Sequence, residues 1–326
     1  MSVIRKEFTQ LKKQEEYKWL NEVSNATMVE SMRNLDKSFK SFFKGNSKYP
    51  KFKSKKKSKQ SFYVRYDSLY FVNNMCNIEK IGKVKYKTNY KIPQGRNIVK
   101  FMNPYCSFDG KYWYLSFNLD INENQINIKN NLSIGVDLGI KELATCSNGM
   151  VFNNINKVKK LNKRLKRLQR KCSNKYRLNK QGNKFIKTNN IIKLEKQIKL
   201  LHRKLSNIRL NHIYQSINII LKESPNRVVM EDLNISGMMK NKHLSKKIQE
   251  QCFYKFIQIM KYKCEWNGIK FIQADRFYPS SKTCSCCGNV KYNLKLKDRV
   301  YKCDECGLEI DRDLNASINL MNYRLV

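Results

Sequence analysis

The chain has 326 residues, with 66 Lys and Arg against 26 Asp and Glu, so its formal net charge is +40. A folded chain with this charge repels itself unless a polyanion is bound, and because Lys and Arg are spread over most of the length, RNA or DNA is favoured over a membrane surface. No apolar run approaches the roughly 18 residues of a membrane span, and the first residues lack the apolar segment of a secretory signal. We therefore expect a soluble cytoplasmic protein that binds nucleic acid and has two or three domains.

The first 47 residues predict a helical region, with two helices over 5–44. In the second helix, apolar residues recur at spacings of three and four and therefore share one face. These residues are Met28, Met32, Leu35, Phe39 and Phe42. Ser24 or Asn25 is a suitable N-cap for this helix, and Gly45 is a suitable stop.

A β-rich region is predicted from residue 48 to 129. It begins with a basic stretch laced with aromatic residues, where lysines can follow a phosphate backbone while the aromatics stack on bases or on the core. The candidate nucleic-acid contacts are Lys51, Lys53, Lys55, Lys56 and Lys57. The simpler alternative is a solvated basic loop that leads into a strand. Farther on, alternation over 112–119 predicts a strand, and several such strands favour a small antiparallel barrel or sheet.

The next region, residues 130–277, has the element order of an RNase H-like α/β fold. Three short strands from residue 132 form a meander, a helical crossover follows, and two further strands alternate with helices. Those two strands are predicted over 228–232 and 270–274, with a helix near 244–266 between them. A final helix is expected over 311–326.

Two basic helices, at 154–179 and 189–223, are predicted to form a hairpin with an apolar seam. The first helix carries too many basic side chains for solubility alone, so we expect its surface to face phosphates. The candidate contacts are Lys163, Arg164, Arg167 and Arg170. His212 falls on the seam of the second helix, which favours a core histidine over a metal ligand.

Four cysteines give the most specific local signal. Cys284-x-x-Cys287 and Cys303-x-x-Cys306 are separated by fifteen residues, and each pair is followed by a Gly that allows a tight turn around a metal. Four thiolates at this spacing close a tetrahedral Zn²⁺ site with no open position, so we expect a structural zinc within residues 278–310. Disulfides are disfavoured because the chain reads as intracellular and its 11 cysteines are an odd number.

A set of carboxylates gives the second signal. Asp137 and Glu231 each end an apolar strand, and Asp311-Arg312-Asp313 opens the last helix. Phosphodiester hydrolysis by two divalent cations needs oxygen ligands, which Mg²⁺ prefers, and acids from separate strand ends and a helix start suit it. Any one of these acids alone is more simply a turn or cap residue. No His-x-His pair occurs, which excludes the relaxase-type transposases that need one.

Three segments together resemble the TnpB family. They are Gly135-Val136-Asp137-Leu138-Gly139-Ile140, Val229-Met230-Glu231-Asp232-Leu233, and the run from Tyr278-Pro279-Ser280-Ser281-Lys282-Thr283-Cys284 to Asp311-Arg312-Asp313-Leu314-Asn315-Ala316. TnpB proteins are insertion-sequence-encoded, RNA-guided nucleases, long described as OrfB-type transposases, and are similar to type V CRISPR effectors. The likeness spans nearly the whole chain. It implies a RuvC-type nuclease domain interrupted by a zinc ribbon, with an N-terminal recognition and wedge region.

The resemblance also implies roles for individual residues. The RuvC acids correspond to Asp137, Glu231 and Asp313, with Asp313 preferred over Asp311 because it directly precedes Leu-Asn-Ala. They would hold the catalytic Mg²⁺ ions, with Asp137 contacting both. The implied partners are a guide RNA made from the end of the element and a target DNA that pairs with it. Family members usually have a strand and a helix ahead of the position of residue 1, so we expect that part of the wedge to be missing.

Two other functions compete with a guided nuclease. A DDE-type transposase that performs strand transfer is compatible with an RNase H-like fold, because that fold hosts both reactions. A degenerate, non-catalytic copy that only binds nucleic acid, for example as a repressor, is compatible with the charge.

Overall fold

The computed structural model describes residues 2–54, 58–95, 99–119, 132–155, 158–295 and 298–324. It divides into two compact units, residues 1–122 and 123–326. Within the described ranges, no helix combines the length and the apolar character that crossing a lipid bilayer requires.

The first unit begins with helices. α1 (Ser2–Leu11) and a 3₁₀ helix (Glu15–Glu22) precede α2 (Asn25–Phe43). The Ser24 hydroxyl accepts a hydrogen bond from the Ala26 N–H at 3.2 Å, so Ser24 is the N-cap, and Gly45 takes a left-handed φ of 70° just after the helix ends. The predicted apolar face is only partly covered, because Met28 is buried whereas Leu35 is 53% exposed.

Two three-stranded antiparallel sheets complete the first unit. One has the order β1–β5–β6 and the other the order β2–β3–β4. Their strands are β1 (Ser61–Tyr63), β2 (Tyr70–Val72), β3 (Met75–Ile78), β4 (Gly82–Lys85), β5 (Met102–Phe108) and β6 (Trp113–Asn118). Phe71 and Phe101 are buried with ring centroids 5.1 Å apart, and Phe117 of β6 packs against both. The strand predicted over 112–119 is β6.

A five-stranded sheet is the centre of the second unit. Its order is β13–β12–β7–β8–β9, in which β7, β8 and β9 form an antiparallel meander and β12 runs parallel to both β7 and β13. The strands are β7 (Ser133–Asp137), β8 (Glu142–Cys146), β9 (Val151–Asn153), β12 (Arg227–Glu231) and β13 (Lys270–Ala274). Because Val136 pairs with Met230, the residues that follow them, Asp137 and Glu231, leave the sheet at the same edge.

Helices surround this sheet. They are α3 (Val158–Leu178), α4 (Asn189–Lys222), α5 (Ile235–Met238), α6 (Ser245–Gln251), α7 (Phe253–Trp266) and α8 (Arg312–Asn322). The small strands β10 (Lys180–Gln181) and β11 (Lys184–Phe185) join α3 to α4. The predicted apolar seam between these two helices includes the buried Leu165, Leu201 and Leu205. The single helix expected near 244–266 is two helices, because Cys252 has a left-handed φ of 55° and interrupts it.

The last helix lies directly against the central strand. β14 (Val300–Lys302) and β15 (Glu309–Asp311) form a hairpin that leads straight into α8. A Cβ atom on Gly135 would come within 1.9 Å of the Ser317 carbonyl oxygen, so the α8 backbone approaches β7 as closely as only glycine permits. This contact, two residues before Asp137, brings the start of α8 to the edge where β7 and β12 end.

Candidate active site and metal-binding cysteines

Three carboxylates meet at one edge of the five-stranded sheet. Asp137 ends β7, Glu231 ends β12, and Asp313 is the second residue of α8; all three are half-buried. Burial raises the pKa of Asp137 well above its usual value, and the negative charges of Glu231 and Asp313 raise that pKa further, against an opposing effect of Arg312. The carboxylates are therefore close enough to repel one another, and a bound cation would relieve that repulsion.

Hydrogen bonds distinguish Glu231 from its neighbour Asp232. The hydroxyl of Ser280, which is 2% exposed, donates to Glu231 Oε1 and restricts the orientation of that carboxylate. Asp232 Oδ2 instead accepts a hydrogen bond from Arg276 Nη2 at 2.6 Å. Glu231 thus faces the other two acids, while Asp232 is neutralised by an arginine.

Asp311 and Asp313 have different surroundings at the start of α8. Asp311 is exposed, and its Oδ1 accepts hydrogen bonds from the N–H groups of Asp313 and Leu314 at 2.9 and 3.1 Å. It is the N-cap of α8. Asp313, by contrast, acts electrostatically on Asp137. These contacts support the choice of Asp313 over Asp311 as the third acid.

The donor chemistry of the acid cluster fits divalent cations. All three groups offer carboxylate oxygens, the ligands that Mg²⁺ prefers. Among the described residues, only the four cysteines place one ligand atom each within 4.8 Å of all the others, so the acids are more widely spaced. A pair of ions about 4 Å apart accommodates such spacing, because a ligand of one ion need not lie near every ligand of the other.

The four cysteines form a much tighter group. The Cys284 and Cys306 sulfurs are 3.6 Å apart, and those of Cys287 and Cys303 are 3.5 Å apart. Tetrahedral coordination with Zn–S bonds of about 2.3 Å requires sulfurs separated by about 3.8 Å, so the group fits one zinc ion. The N–H of Cys306, helped by that of Glu305, lowers the pKa of the Cys303 thiol to about 6, whereas the pKa values of Cys287 and Cys306 are raised. The first thiolate of the group therefore forms on Cys303.

Turns and packing hold the cysteines in place. Gly288 and Gly307 have φ values of 78° and 72°, the left-handed conformation that lets each pair turn tightly. The fully buried Tyr301 of β14 packs between Cys284 and Cys303. The other cysteines are unpaired; five of them are buried, whereas Cys286 is exposed.

Buried amides connect the cysteine segment to the acid cluster. Asn315 Nδ2 donates to the Thr283 carbonyl at 2.7 Å, and Asn319 Nδ2 donates to the Ser280 carbonyl at the same distance. Both asparagines lie one turn apart on the buried face of α8. The sequence analysis did not identify these residues or Ser280, because their hydrogen bonds join residues that are 32 to 49 positions apart in the sequence.

The predicted nucleic-acid contacts are distributed over both units. In the first unit Lys51 and Lys53 are exposed, while Lys55, Lys56 and Lys57 lie outside the described residues. In the second unit Lys163 lines a cavity of about 880 Å³ and Arg164 lines one of about 210 Å³. Arg167 and Arg170 are exposed on α3. His212 is half-buried, and its Nε2 lies 2.8 Å from the Asn153 carbonyl oxygen, so this histidine has a structural hydrogen bond.

Two family models match adjoining parts of the chain. Residues 116–242 match the OrfB_IS605 model, described as "Probable transposase", and residues 253–320 match the model "Cas12f1-like, TNB domain". A Streptomyces pristinaespiralis protein named "Putative RNA-guided DNA endonuclease" is 29% identical over 317 residues, which cover 96% of this chain and 75% of the relative. The chain is therefore similar to OrfB_IS605 (TnpB) proteins over most of its length.

Two further likenesses point in the same direction. The Escherichia coli K12 protein named "Putative RNA-guided DNA endonuclease InsQ" is 25% identical over 321 residues, covering 94% of this chain and 76% of its own. A cryo-EM structure of a Cas12f1–sgRNA–target DNA complex aligns with a TM-score of 0.59 at 15% identity, over 89% of this chain and 69% of that chain. The chain therefore has a mixed α/β fold similar to that of Cas12f1. The two matched segments include all three acids and all four cysteines.

Proposed function

We propose that this chain is an RNA-guided DNA endonuclease that depends on divalent metal ions. The observation that carries the proposal is the meeting of Asp137, Glu231 and Asp313, from three separate elements, in a chain with a net charge of +40. The relatives' names point to the same activity, and the Cas12f1 structure holds a guide RNA and a target DNA. RNA and DNA are accordingly the proposed partners, with the guide made from the end of the mobile element.

In this proposal the second unit is a RuvC-type, RNase H-like nuclease domain. Residues 278–310 form an inserted zinc ribbon held by Cys284, Cys287, Cys303 and Cys306. Two Mg²⁺ ions, when bound, would supply an activated water nucleophile and stabilise the leaving oxygen. Asp137 would contact both ions, and Glu231 and Asp313 would each hold one.

The surrounding residues orient these acids. Ser280 holds one oxygen of Glu231, and the close packing of α8 against Gly135 keeps Asp313 beside Asp137. The elevated pKa of Asp137 means that a proton competes with metal for this carboxylate, so metal binding should weaken as the pH falls. The asparagines of α8 tie the zinc ribbon to the same helix, so zinc supports the geometry of the acids without taking part in the reaction.

The decisive experiment combines RNA identification with cleavage. The chain is co-expressed with the flanking DNA of its element, and the RNA that co-purifies is sequenced and its pairing segment matched to a target DNA. We expect one discrete RNA from the element end and Mg²⁺-dependent cleavage of the matched DNA. Asp137→Ala should abolish cleavage and leave RNA and DNA binding nearly intact.

Several outcomes would contradict the proposal. Cleavage retained in Asp137→Ala would remove the acid cluster as its centre. Joining of DNA 3′ ends would favour a DDE-type transposase. Random cellular RNA, with binding indifferent to Mg²⁺ and no cleaved product, would favour a nucleic-acid-binding protein without catalysis.

A further inference from the structure

A basic cavity of about 880 Å³ lies in the second unit, apart from the acid cluster. Its walls come from the start of β8, the end of β9, the hairpin helices α3 and α4, and the helix α6. Seven of its lining side chains are Lys or Arg and two are Glu, and Lys163 is the only one of them that the sequence analysis singled out.

The position of the cavity relates it to the acids. Asp137, at the end of β7, pairs with Thr145 of the antiparallel strand β8. Glu142 lines the cavity and lies three residues farther along β8, past the end of β7. Three residues of a strand span about 10 Å. Glu142 in turn pairs with Asn153, which also lines the cavity. The cavity therefore lies at the same edge of the sheet as the acids, within a few nucleotides of a strand held there.

The positive charge around the cavity favours an anionic ligand. Lys159, Lys163 and Lys166 recur at spacings of four and three, which places their ammonium groups on one face of α3, and all three are exposed. Lys246 and Lys247 of α6 face them across the cavity. So many like charges around one space are unfavourable unless an anionic ligand neutralises them.

Arg209 provides an independent sign of a ligand. It lines the cavity from α4, and its Nε is buried; among the described residues it is the one buried side-chain nitrogen or oxygen that lacks a hydrogen-bond partner. Neighbouring polar groups are satisfied, since Asn162 Nδ2 donates to Glu250 at 3.0 Å and Gln251 donates to Asn154. A buried guanidinium donor without a partner is costly, and its planar fork suits a phosphate oxygen.

The residues that line the cavity also indicate which part of a nucleic acid they would contact. None of the described residues that line this cavity is aromatic, so they offer no surface on which a base would stack. Lysine and arginine contacts to phosphates carry no base preference. A nuclease whose target is chosen by pairing with a guide requires such sequence-independent contacts beside its cleavage site.

We propose that this cavity binds the backbone phosphates of the DNA strand that is cut, with Arg209 as its central contact. The inference rests on the proposed function, because only a DNA strand that is cut at the acids would pass this edge of the sheet. The ligand class is a single-stranded phosphodiester backbone, held a few nucleotides from the bond that is hydrolysed.

The test measures DNA binding without cleavage. The full chain with its co-purified RNA carries Asp137→Ala, and binding of a short single-stranded DNA of mixed sequence is followed by fluorescence anisotropy over a range of salt concentrations. Arg209→Gln and, separately, the double variant Lys163→Gln with Lys247→Gln are compared with Lys193→Gln and Lys196→Gln. The control is a double variant of Lys193 and Lys196, which are exposed on α4 and do not line the cavity. It removes two positive charges, as the cavity pair does.

We expect the cavity double variant to weaken DNA binding about tenfold and to reduce the slope of log affinity against log salt by about 1.4, and Arg209→Gln to reduce that slope by about 0.7, since each phosphate contact on a single strand contributes about 0.7. The α4 control should stay within about twofold of the parent, and the amount of bound RNA should not change in any variant. The cavity pair consists of exposed lysines, so it tests the inference even where Arg209→Gln folds poorly.

The outcomes separate this inference from the proposed function. Equal losses in the cavity and control pairs would show general electrostatic attraction and overturn the inference. Loss of bound RNA would assign the cavity to the guide instead. If otherwise unmodified protein cuts guide-matched DNA but the cavity variants bind DNA normally, the inference fails and the function stands. If nothing is cut but DNA binding depends on the cavity, the cavity is a DNA phosphate site and the proposed nuclease function fails.

Discussion

The cysteine quartet and the acid cluster, two candidate metal-binding groups of the second unit, are assembled in different ways. The cysteines come from two turns close in sequence, and their sulfurs approach to 3.5–3.6 Å. The acids come from positions as far apart as 137 and 313 and are half-buried, and burial, followed by the charges of Glu231 and Asp313, raises the pKa of Asp137. One group offers four sulfur ligands at the spacing of a single metal site, whereas the carboxylates of the other group are more widely spaced.

The two groups share one helix, α8. α8 begins with Asp313 among the acids and contributes Asn315 and Asn319 to the segment that carries the first cysteine pair. A closed site of four thiolates stabilises the fold around it, and an open carboxylate site requires that stability because its own charges oppose assembly. Changes to either group therefore test whether the cysteines hold the frame and the acids carry out the reaction.

Exchanging one carboxylate at the start of α8 gives the largest expected effect. Asp313→Asn should reduce Mg²⁺-dependent cleavage of guide-matched DNA at least about a thousandfold, equivalent to about 4 kcal/mol of barrier, because it removes a metal ligand. Asp311→Asn is the matched control. Asn caps a helix as well as Asp does, so cleavage should persist. Loss of cleavage in Asp311→Asn with activity retained in Asp313→Asn would reverse the two roles.

Removing one cysteine should affect the fold before the chemistry. Cys287→Ser should lower bound zinc, measured by metal analysis, from about one equivalent to nearly none, and should lower the thermal midpoint because metal binding and folding of such a segment are coupled. Cys286→Ser, one residue away and exposed, should retain both zinc and stability. Equal zinc content in the two variants would contradict the assignment of the four ligands.

Removing the hydroxyl that orients Glu231 should have an intermediate effect. Ser280→Ala should weaken Mn²⁺ binding, measured by calorimetry as a substitute for Mg²⁺, by about tenfold to a hundredfold, the usual cost of losing a group that orients a ligand. Zinc content should not change. Ser281→Ala is the control, since that hydroxyl contacts Arg312 at 3.4 Å instead of Glu231. Unchanged Mn²⁺ affinity in Ser280→Ala would show that the hydrogen bond to Glu231 does not position it for metal.

Sequence reasoning succeeded where the determining contacts are local or periodic. The cysteine spacing, the seam that includes Leu165 and Leu201, and the order of strands follow from patterns that can be read within a short window. The break at Cys252 was missed because neither Gly nor Pro marks it. Leu35 shows the same limit, since periodicity defines a helix face but not whether another element covers it.

The parts of the site that were missed depend on distant contacts. Ser280 reaches Glu231 across 49 residues of sequence, and Asn319 reaches the Ser280 carbonyl across 39. Arg209 is one basic residue among 66, and only the packing of α4 against its neighbours leaves its Nε buried without a partner. No pattern within a single element distinguishes such residues from solvated ones, because their roles depend on which elements pack together.

The smallest effect concerns the repulsion among the acids. The raised pKa of Asp137 means that its ionised form opposes folding at any pH above that pKa, and this penalty disappears as the pH falls and the group is protonated. In buffer without Mg²⁺ but with zinc retained, Asp137→Asn should therefore raise the thermal midpoint by about 2–4 °C near neutral pH, the shift that about 1 kcal/mol produces in a unit of this size. The gain should shrink in acid. Added Mg²⁺ should stabilise the unmodified chain but not the variant, because a cation offsets repulsion only where the carboxylate that binds it is present. A lower midpoint for Asp137→Asn without Mg²⁺ would mean that burial and the neighbouring acids do not destabilise the ionised Asp137 in the folded chain.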